Sequence, residues 1–240
     1  MAASPLTPAR AAEIRERFGT PCYVYDRAVL EAAAREALAF PAPFGFTLRY
    51  AMKANPSLGI LKLFRALGLH LDASSDFEVE RGLRAGFAPS EIQLTSQMPS
   101  RRLGEFLGKG VLFNACSLHQ LEAYGQIARG REVSVRMNPG LGSGATNRTN
   151  TGGPASSFGI WHEYLGDVKA LADRHDLKIT PRATCSPSRR EGICEVSWIA
   201  PGENPARRAR STSLSLDASM ESPSSRKTFN TPRLGLAFIA

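Results

Sequence analysis

This 240-residue sequence predicts an α/β fold with a parallel sheet. Two observations predict it. Short apolar runs alternate with alanine- and leucine-rich stretches of helical period from residue 22 to residue 180. Successive strand starts fall about 20 to 25 residues apart up to residue 136, as in repeated βα units. A closed (β/α)8 barrel and a doubly wound open sheet both have this rhythm, so both architectures stay open at this level.

Each element has its own signal. Thr7-Pro8 opens the first helix with a capping threonine and a proline at the first helical position, and Gly19 closes it. Residues 21–26 (PCYVYD) form a short strand, and residues 27–39 (RAVLEAAAREALA) an alanine-rich helix. Residues 46–52 read as a strand that runs into Lys53-Ala54-Asn55-Pro56. Helices at 57–67, 76–86, 100–108 and 118–128 lead in turn to strands at 69–73, 92–95, 111–114 and 133–136. A long loop rich in Gly, Thr, Asn and Ser covers 137–157, followed by a helix at 161–174 and a strand at 177–180.

After Thr180 the pattern stops. Residues 181–240 hold ten serines and six prolines and keep neither the helical nor the strand period. The apolar runs 196–200 and 234–240 are too isolated to build a second core. The segment therefore reads as a disordered or irregular C-terminal tail, after a lead-in (1–26) and an α/β body (27–180).

Composition narrows the function classes. With 42% hydrophobic and 22% charged residues, the chain can bury a sizeable core. Half of the net charge of +8 falls in the tail, where nine bases face five acids. That mixture, with only Trp198 and two phenylalanines for stacking, argues against nucleic acid as a partner. No run approaches the roughly 20 apolar residues of a membrane span, and the N-terminus lacks a signal-like apolar core, so a cytoplasmic chain is expected. Cys22, Cys116, Cys185 and Cys194 lack CxxC spacing and signal neither a zinc site nor a disulfide framework.

Four side chains carry the chemistry. Lys53 stands just past an apolar strand, where barrels place reactive groups. A partly desolvated lysine there can lose its proton and form an imine with an aldehyde cofactor, although a strand-end lysine alone is most often a solvated charge. Asp72 ends the next strand, in register with Lys53. Glu78 lies in the first turn of the following helix, where the helix dipole accounts for Asp76 and Glu78 as simple caps. Arg136 ends a later strand, so ionisable groups at three strand ends converge on one mouth. The glycine-rich run 140–144 lacks a nucleotide-binding spacing and reads as a flexible loop. His70, His119, His162 and His175 show no metal-ligand spacing, and Asn147-Arg148-Thr149 is a sequon that a cytoplasmic chain never uses.

YAMKAN (50–55), DASSDFEVERGLRAGF (72–87) and RMNPGLGSGATNRTNTGGPASSFGIW (136–161) together resemble the pyridoxal-phosphate-dependent ornithine/diaminopimelate/arginine decarboxylases of fold type III. The likeness is greatest to diaminopimelate decarboxylases and covers about residues 10–180. It implies an alanine-racemase-like (β/α)8 TIM barrel, incomplete here, with the strand at 21–26 belonging to a second, β-rich domain. It implies pyridoxal 5'-phosphate as cofactor, a small amino-acid substrate and a homodimer. Lys53 matches the lysine that bonds to the cofactor, Asp72 and Glu78 the carboxylates of the D-A-x-S-x-x-E pattern near the cofactor ring, and Arg136 the strand-end arginine lining the pocket. The implied reaction converts meso-diaminopimelate to L-lysine and carbon dioxide.

Past Thr180 the sequence departs from the family's pattern. A histidine and a Gly-Ser-Gly turn belong where Pro181-Arg182-Ala183-Thr184-Cys185-Ser186 stand. The later glycine-rich phosphate loop, the E-P-G-R segment and the C-terminal β domain are missing. The expectation is a truncated N-terminal part with little or no activity of its own, its tail foreign to the family through a frameshift, an unspliced intron or a mispredicted gene. The alternative is a non-catalytic cofactor-binding or regulatory homologue.

Overall fold

The computed structural model describes residues 6–41, 47–140, 152–153, 156–180 and 236–239. Helix α1 (Pro8–Phe18) starts where Thr7 Oγ1 accepts the Arg10 amide at 3.2 Å and stops at Gly19, whose φ of 76° suits only glycine. Strand β1 (Cys22–Tyr25) follows. Asp26 then caps α2 (Arg27–Leu38), its Oδ1 accepting the amides of Ala28 at 2.7 Å and Val29 at 3.2 Å.

Strand β2 (Arg49–Ala51) is shorter than the seven residues expected, because Met52–Ala54 winds into a single 3-10 turn. From there the chain alternates as expected. The elements are α3 (Leu58–Ala66), β3 (His70–Ala73), α4 (Asp76–Ala85), β4 (Ile92–Leu94), α5 (Leu103–Lys109) and β5 (Leu112–Ala115). Next come α6 (Leu118–Ile127), β6 (Glu132–Val135), the short β7 (Met137–Asn138) and β8 (Ile160–Trp161), α7 (Leu165–Arg174) and β9 (Lys178–Ile179).

Six strands form one sheet in the order β2-β3-β4-β5-β6-β9, each pair parallel. Every main strand lies beside the next one in the chain, with a helix between. A doubly wound sheet reverses its order at a switch point. This one never does, so the strands form an arc of a (β/α)8 barrel, and the open-sheet alternative falls away.

Register separates the two faces of the arc. Ala51, Asp72 and Gln93 share one row, and Asn114 stands beside Ser134 in another. Side chains alternate along a strand, so Arg49, His70, Asp72, Gln93, Asn114 and Ser134 lie on the inner face. Leu71, Ala73, Ile92, Leu94, Phe113, Ala115 and Val133 lie on the outer face, where they join Val79 of α4, Phe106 of α5 and Leu121 of α6 in the main core. A second cluster packs Leu30 and Ala34 of α2 on Ile60 and Phe64 of α3. Apolar burial thus fastens the helices outside, while the inside is polar. Gln93, Asn114 and Ser134 are nonetheless fully buried.

Three features differ from the sequence expectations. The ends of the long loop zip together: Met137 pairs with Ile160 and Asn138 with Trp161 in a parallel bridge. Buried Asn138 reinforces it, Oδ1 accepting the amides of Gly140 at 3.1 Å and Gly153 at 2.9 Å while Nδ2 donates to Gly153 O at 3.0 Å. Pairing draws Trp161 out of the expected helix, so α7 starts at Leu165 after a 3-10 turn, His162–Tyr164. Finally, Leu236–Ile239, assigned above to the tail, forms strand β10 antiparallel to β1, Cys22 opposite Ile239. A β-prone apolar run meets the backbone groups of β1, which need partners. The ribbon β1-β10 is separate from the six-stranded sheet. Residues 141–151, with most of the glycine-rich run and the sequon, lie outside the described residues, as do 181–235.

Candidate active site

The four residues singled out above stand at one end of the arc, beyond or near the C-terminal ends of its strands. Lys53 is exposed at the centre of the 3-10 turn after β2. The turn is held at both ends. Met52 is fully buried in the core, and the Tyr50 hydroxyl donates to Asn55 O at 3.2 Å. Asn55 Oδ1 in turn accepts the Ser57 amide at 2.9 Å at the head of α3.

Asp72 pairs with Ala51, not with Lys53, which stands two residues further along. The expected register was displaced because the chain leaves the sheet at Met52. Burial pushes the Asp72 carboxyl up to about 6. Thr95 Oγ1 opposes this by donating to Asp72 Oδ1 at 2.8 Å, as do the positive charges of Lys53 and Arg49, while the Glu78 charge adds to the rise. Behind Thr95, Gln93 Nε2 approaches its hydroxyl at 3.4 Å, a long contact.

Glu78 turns back on its own helix. Its Oε2 accepts the Ser74 amide at 2.7 Å, and its amide donates to Ser75 Oγ at 3.3 Å. This is the capping arrangement weighed from the sequence, and it leaves Glu78 acting on Asp72 through charge. Arg136 follows β6 directly, its amide donating to Ala115 O at 2.8 Å and its guanidinium carbon 4.8 Å from the Phe158 ring centre.

Three neighbours escaped the sequence reading. Thr95 and Cys116 stand just past β4 and β5, the positions that Arg136 takes after β6, so strand-end position alone could have found them. The Cys116 thiol is pushed up to about 11 by burial; Arg136 pulls it down and Asp72 pushes it up. The charges of Asp72 and Arg136 therefore meet at Cys116, as those of Lys53, Arg49 and Glu78 meet at Asp72. Gln120, in the first turn of α6, fastens the mouth: Oε1 accepts the Cys116 amide at 2.8 Å, and Nε2 donates to Ser96 O at 2.8 Å and Gln97 O at 3.2 Å. Nothing short of the folded chain marks that residue out.

An exposed amine near a half-buried carboxylate, with a guanidinium across the mouth, is chemistry suited to an aldehyde or a carboxylic acid. Among the described residues no cluster of His, Cys, Asp and Glu could hold a metal ion, and no helix is long and apolar enough to cross a membrane.

Comparison with known proteins agrees with this geometry. A diaminopimelate decarboxylase of Streptomyces coelicolor is 39% identical over 175 residues, covering 71% of this chain and 39% of the relative. One from Escherichia coli K12 is 33% identical over 179 residues, covering 72% of this chain and 41% of its own. The chain thus spans about two fifths of the length of these relatives. A crystal structure of diaminopimelate decarboxylase matches with a TM-score of 0.65 at 31% identity, over 74% of this chain and 42% of that one. The Helicobacter pylori enzyme complexed with L-lysine shares the fold, with a TM-score of 0.62 at 24% identity, over 70% of this chain and 44% of its own. The model of the pyridoxal-dependent decarboxylase family's pyridoxal-binding domain matches residues 27–181, and the chain accordingly belongs to that family.

Proposed function

We propose that the chain carries the cofactor-binding part of a pyridoxal-phosphate-dependent carboxy-lyase acting on meso-diaminopimelate, with Lys53, Asp72, Glu78 and Arg136 as its site residues. The residues present fit the cofactor. Lys53 offers an amine, which bonds reversibly to an aldehyde, at the rim of a polar inner face. Lower on that face, buried Asn114 Nδ2 and Oδ1 and Gln93 Oε1 lack a partner, in keeping with a lumen built for polar groups. The observation that carries the reading is Asp72, a half-buried carboxylate within electrostatic reach of Lys53 and held by Thr95.

When bound, pyridoxal phosphate supplies an electron sink for the carbanion left as carbon dioxide departs. The protein's share is positioning. The turn fixed by Tyr50 and Met52 presents the Lys53 amine, as the attachment point and as a holder of a proton at Nζ. Asp72 balances the Lys53 and Arg49 charges from a half-buried position. Glu78 fixes the loop between β3 and α4, and Arg136 offers an oxyanion two donors in one plane. The rest of the site, the choice of diaminopimelate over ornithine or arginine, and a cytoplasmic homodimer belong to the same proposal.

The test is chemical trapping. Borohydride reduction of the protein with pyridoxal phosphate labels Lys53 in preference to other lysines, and Lys53→Ala loses that label. Equal labelling of Lys62, Lys109 and Lys169 refutes the assignment. Competition by diaminopimelate, arginine and ornithine against labelling of Lys53, measured side by side, ranks the substrates without requiring turnover.

A further inference from the structure

Arg136 is gripped by three consecutive residues that return from the long loop. The Phe158 ring centre lies 4.8 Å from its guanidinium carbon. Gly159 sits at φ +81°, and a Cβ there would fall 2.9 Å from Arg136 O and 3.2 Å from Arg136 Cγ, so glycine alone permits this approach. The Ile160 amide donates to Arg136 O at 2.7 Å, while on the other side the Arg136 amide donates to Ala115 O at 2.8 Å. Phe158 is itself held, its amide donating to Ser156 Oγ at 3.2 Å.

Arginine has long, free rotamers, and holding an anion normally restricts them at the moment of binding. Here the backbone is pinned from both sides, and an aromatic face has already taken up the guanidinium. A guanidinium held over a ring carries its N–H groups at its edge, where they donate to a ligand. Arg136 keeps the ladder bond to Ala115 O and stands two residues past inward-facing Ser134, so alternation puts it on the inner side, at the mouth shared with Asp72.

We propose that residues 158–160 form a clasp that holds Arg136 oriented in advance as the receptor for an oxyanion of the bound ligand, which makes Phe158 a positioning residue. The proposal rests on the cofactor reading above. It adds a role for a side chain outside the four residues that reading names. The oxyanion is the phosphate of pyridoxal phosphate or the phenolate on its ring, which share the same chemistry toward a guanidinium.

The test measures, on the full chain, the pyridoxal phosphate concentration that half-saturates borohydride labelling of Lys53, read by mass spectrometry. Phe158→Leu keeps apolar bulk and loses the π face, and is expected to raise that concentration about three- to tenfold. Phe158→Tyr keeps the face and restores the wild-type value, which guards against a mere folding defect. In an Arg136→Met background Phe158→Leu has no further effect, because the ring has no cation to hold. Repeating the series with pyridoxal separates the two sources. A deficit with pyridoxal phosphate alone marks the phosphate, and a deficit with both marks the phenolate. Wild-type labelling in Phe158→Leu, or an undiminished effect in the Arg136→Met background, overturns the clasp and leaves the Lys53 assignment standing. Failure of the wild type to label Lys53 overturns both.

Discussion

Replacing Gln120 by methionine removes three hydrogen bonds while keeping a side chain of similar length and volume. In the folded protein Gln120 is almost fully buried and joins the loop after β5, through the Cys116 amide, to the loop after β4, through Ser96 O and Gln97 O. Gln97 is exposed, so water replaces that bond at little loss. Cys116 and Ser96 are buried, and each keeps a backbone group with nothing to replace the amide. A buried unpaired group costs about 1–3 kcal/mol, so the substitution is expected to remove about 2–6 kcal/mol. A typical domain has only about 5–15 kcal/mol to lose. Urea denaturation with linear extrapolation measures the change, and a fall in midpoint at constant slope is the expected form. A loss below about 1 kcal/mol would mean that the two loops hold their positions without Gln120, and the account of how the mouth is fastened would be wrong.

Two further outcomes follow from single contacts. The Asp72 carboxyl rises from 3.8 to about 6 on folding, so the native state binds the extra proton and Asp72 makes the fold less stable as pH rises through that window, levelling off above it. Thr95→Val removes the bond that opposes the rise and is expected to move the Asp72 midpoint above 6, measured by carboxyl carbon NMR; an unchanged midpoint refutes the role given to Thr95. Gly125→Ala places a Cβ 2.4 Å from the His175 ring, between α6 and α7, and is expected to cost about 1–3 kcal/mol and to loosen the contact of His175 Nε2 with Glu122 Oε1, now 3.0 Å. A thermal midpoint equal to that of the wild type excludes this packing.

Element existence was legible because strand and helix periods are local properties, and each βα unit here repeats them. Neighbour order was not, since spacing alone suits a barrel and a doubly wound sheet alike; the register of β2 to β9 decides it. Lys53 and Asp72 were singled out by position at strand ends. Their relative register was misread, because nothing in Met52-Lys53-Ala54 announces a 3-10 turn. Glu78 was visible both as a cap and as a charge, and it serves as both. The inner face left a signal that strand-by-strand reading missed. A strand of a parallel sheet covered on both faces is apolar throughout, whereas His70-Leu71-Asp72, Gln93-Leu94-Thr95 and Ser134-Val135-Arg136 alternate. That alternation marks a polar lumen. Gln120 left no such trace, because its partners are backbone groups of two distant loops.

The ribbon β1-β10 separates two timescales of folding. Each strand of the arc meets its neighbour after a short stretch of chain, so those pairings close shorter loops than β1-β10 does. Cys22 must instead wait for Ile239, 217 residues later. During synthesis β1 leaves the ribosome first and finds its partner last, while the rest of the chain emerges at about 5–20 residues per second. For some tens of seconds, then, an apolar strand with free backbone groups is open to other chains. How long that strand waits, and what shields it meanwhile, then bears on aggregation alongside the final stability of the sheet. Slower translation of the last third of the chain lengthens this exposure, and a chaperone that binds extended apolar segments shortens it.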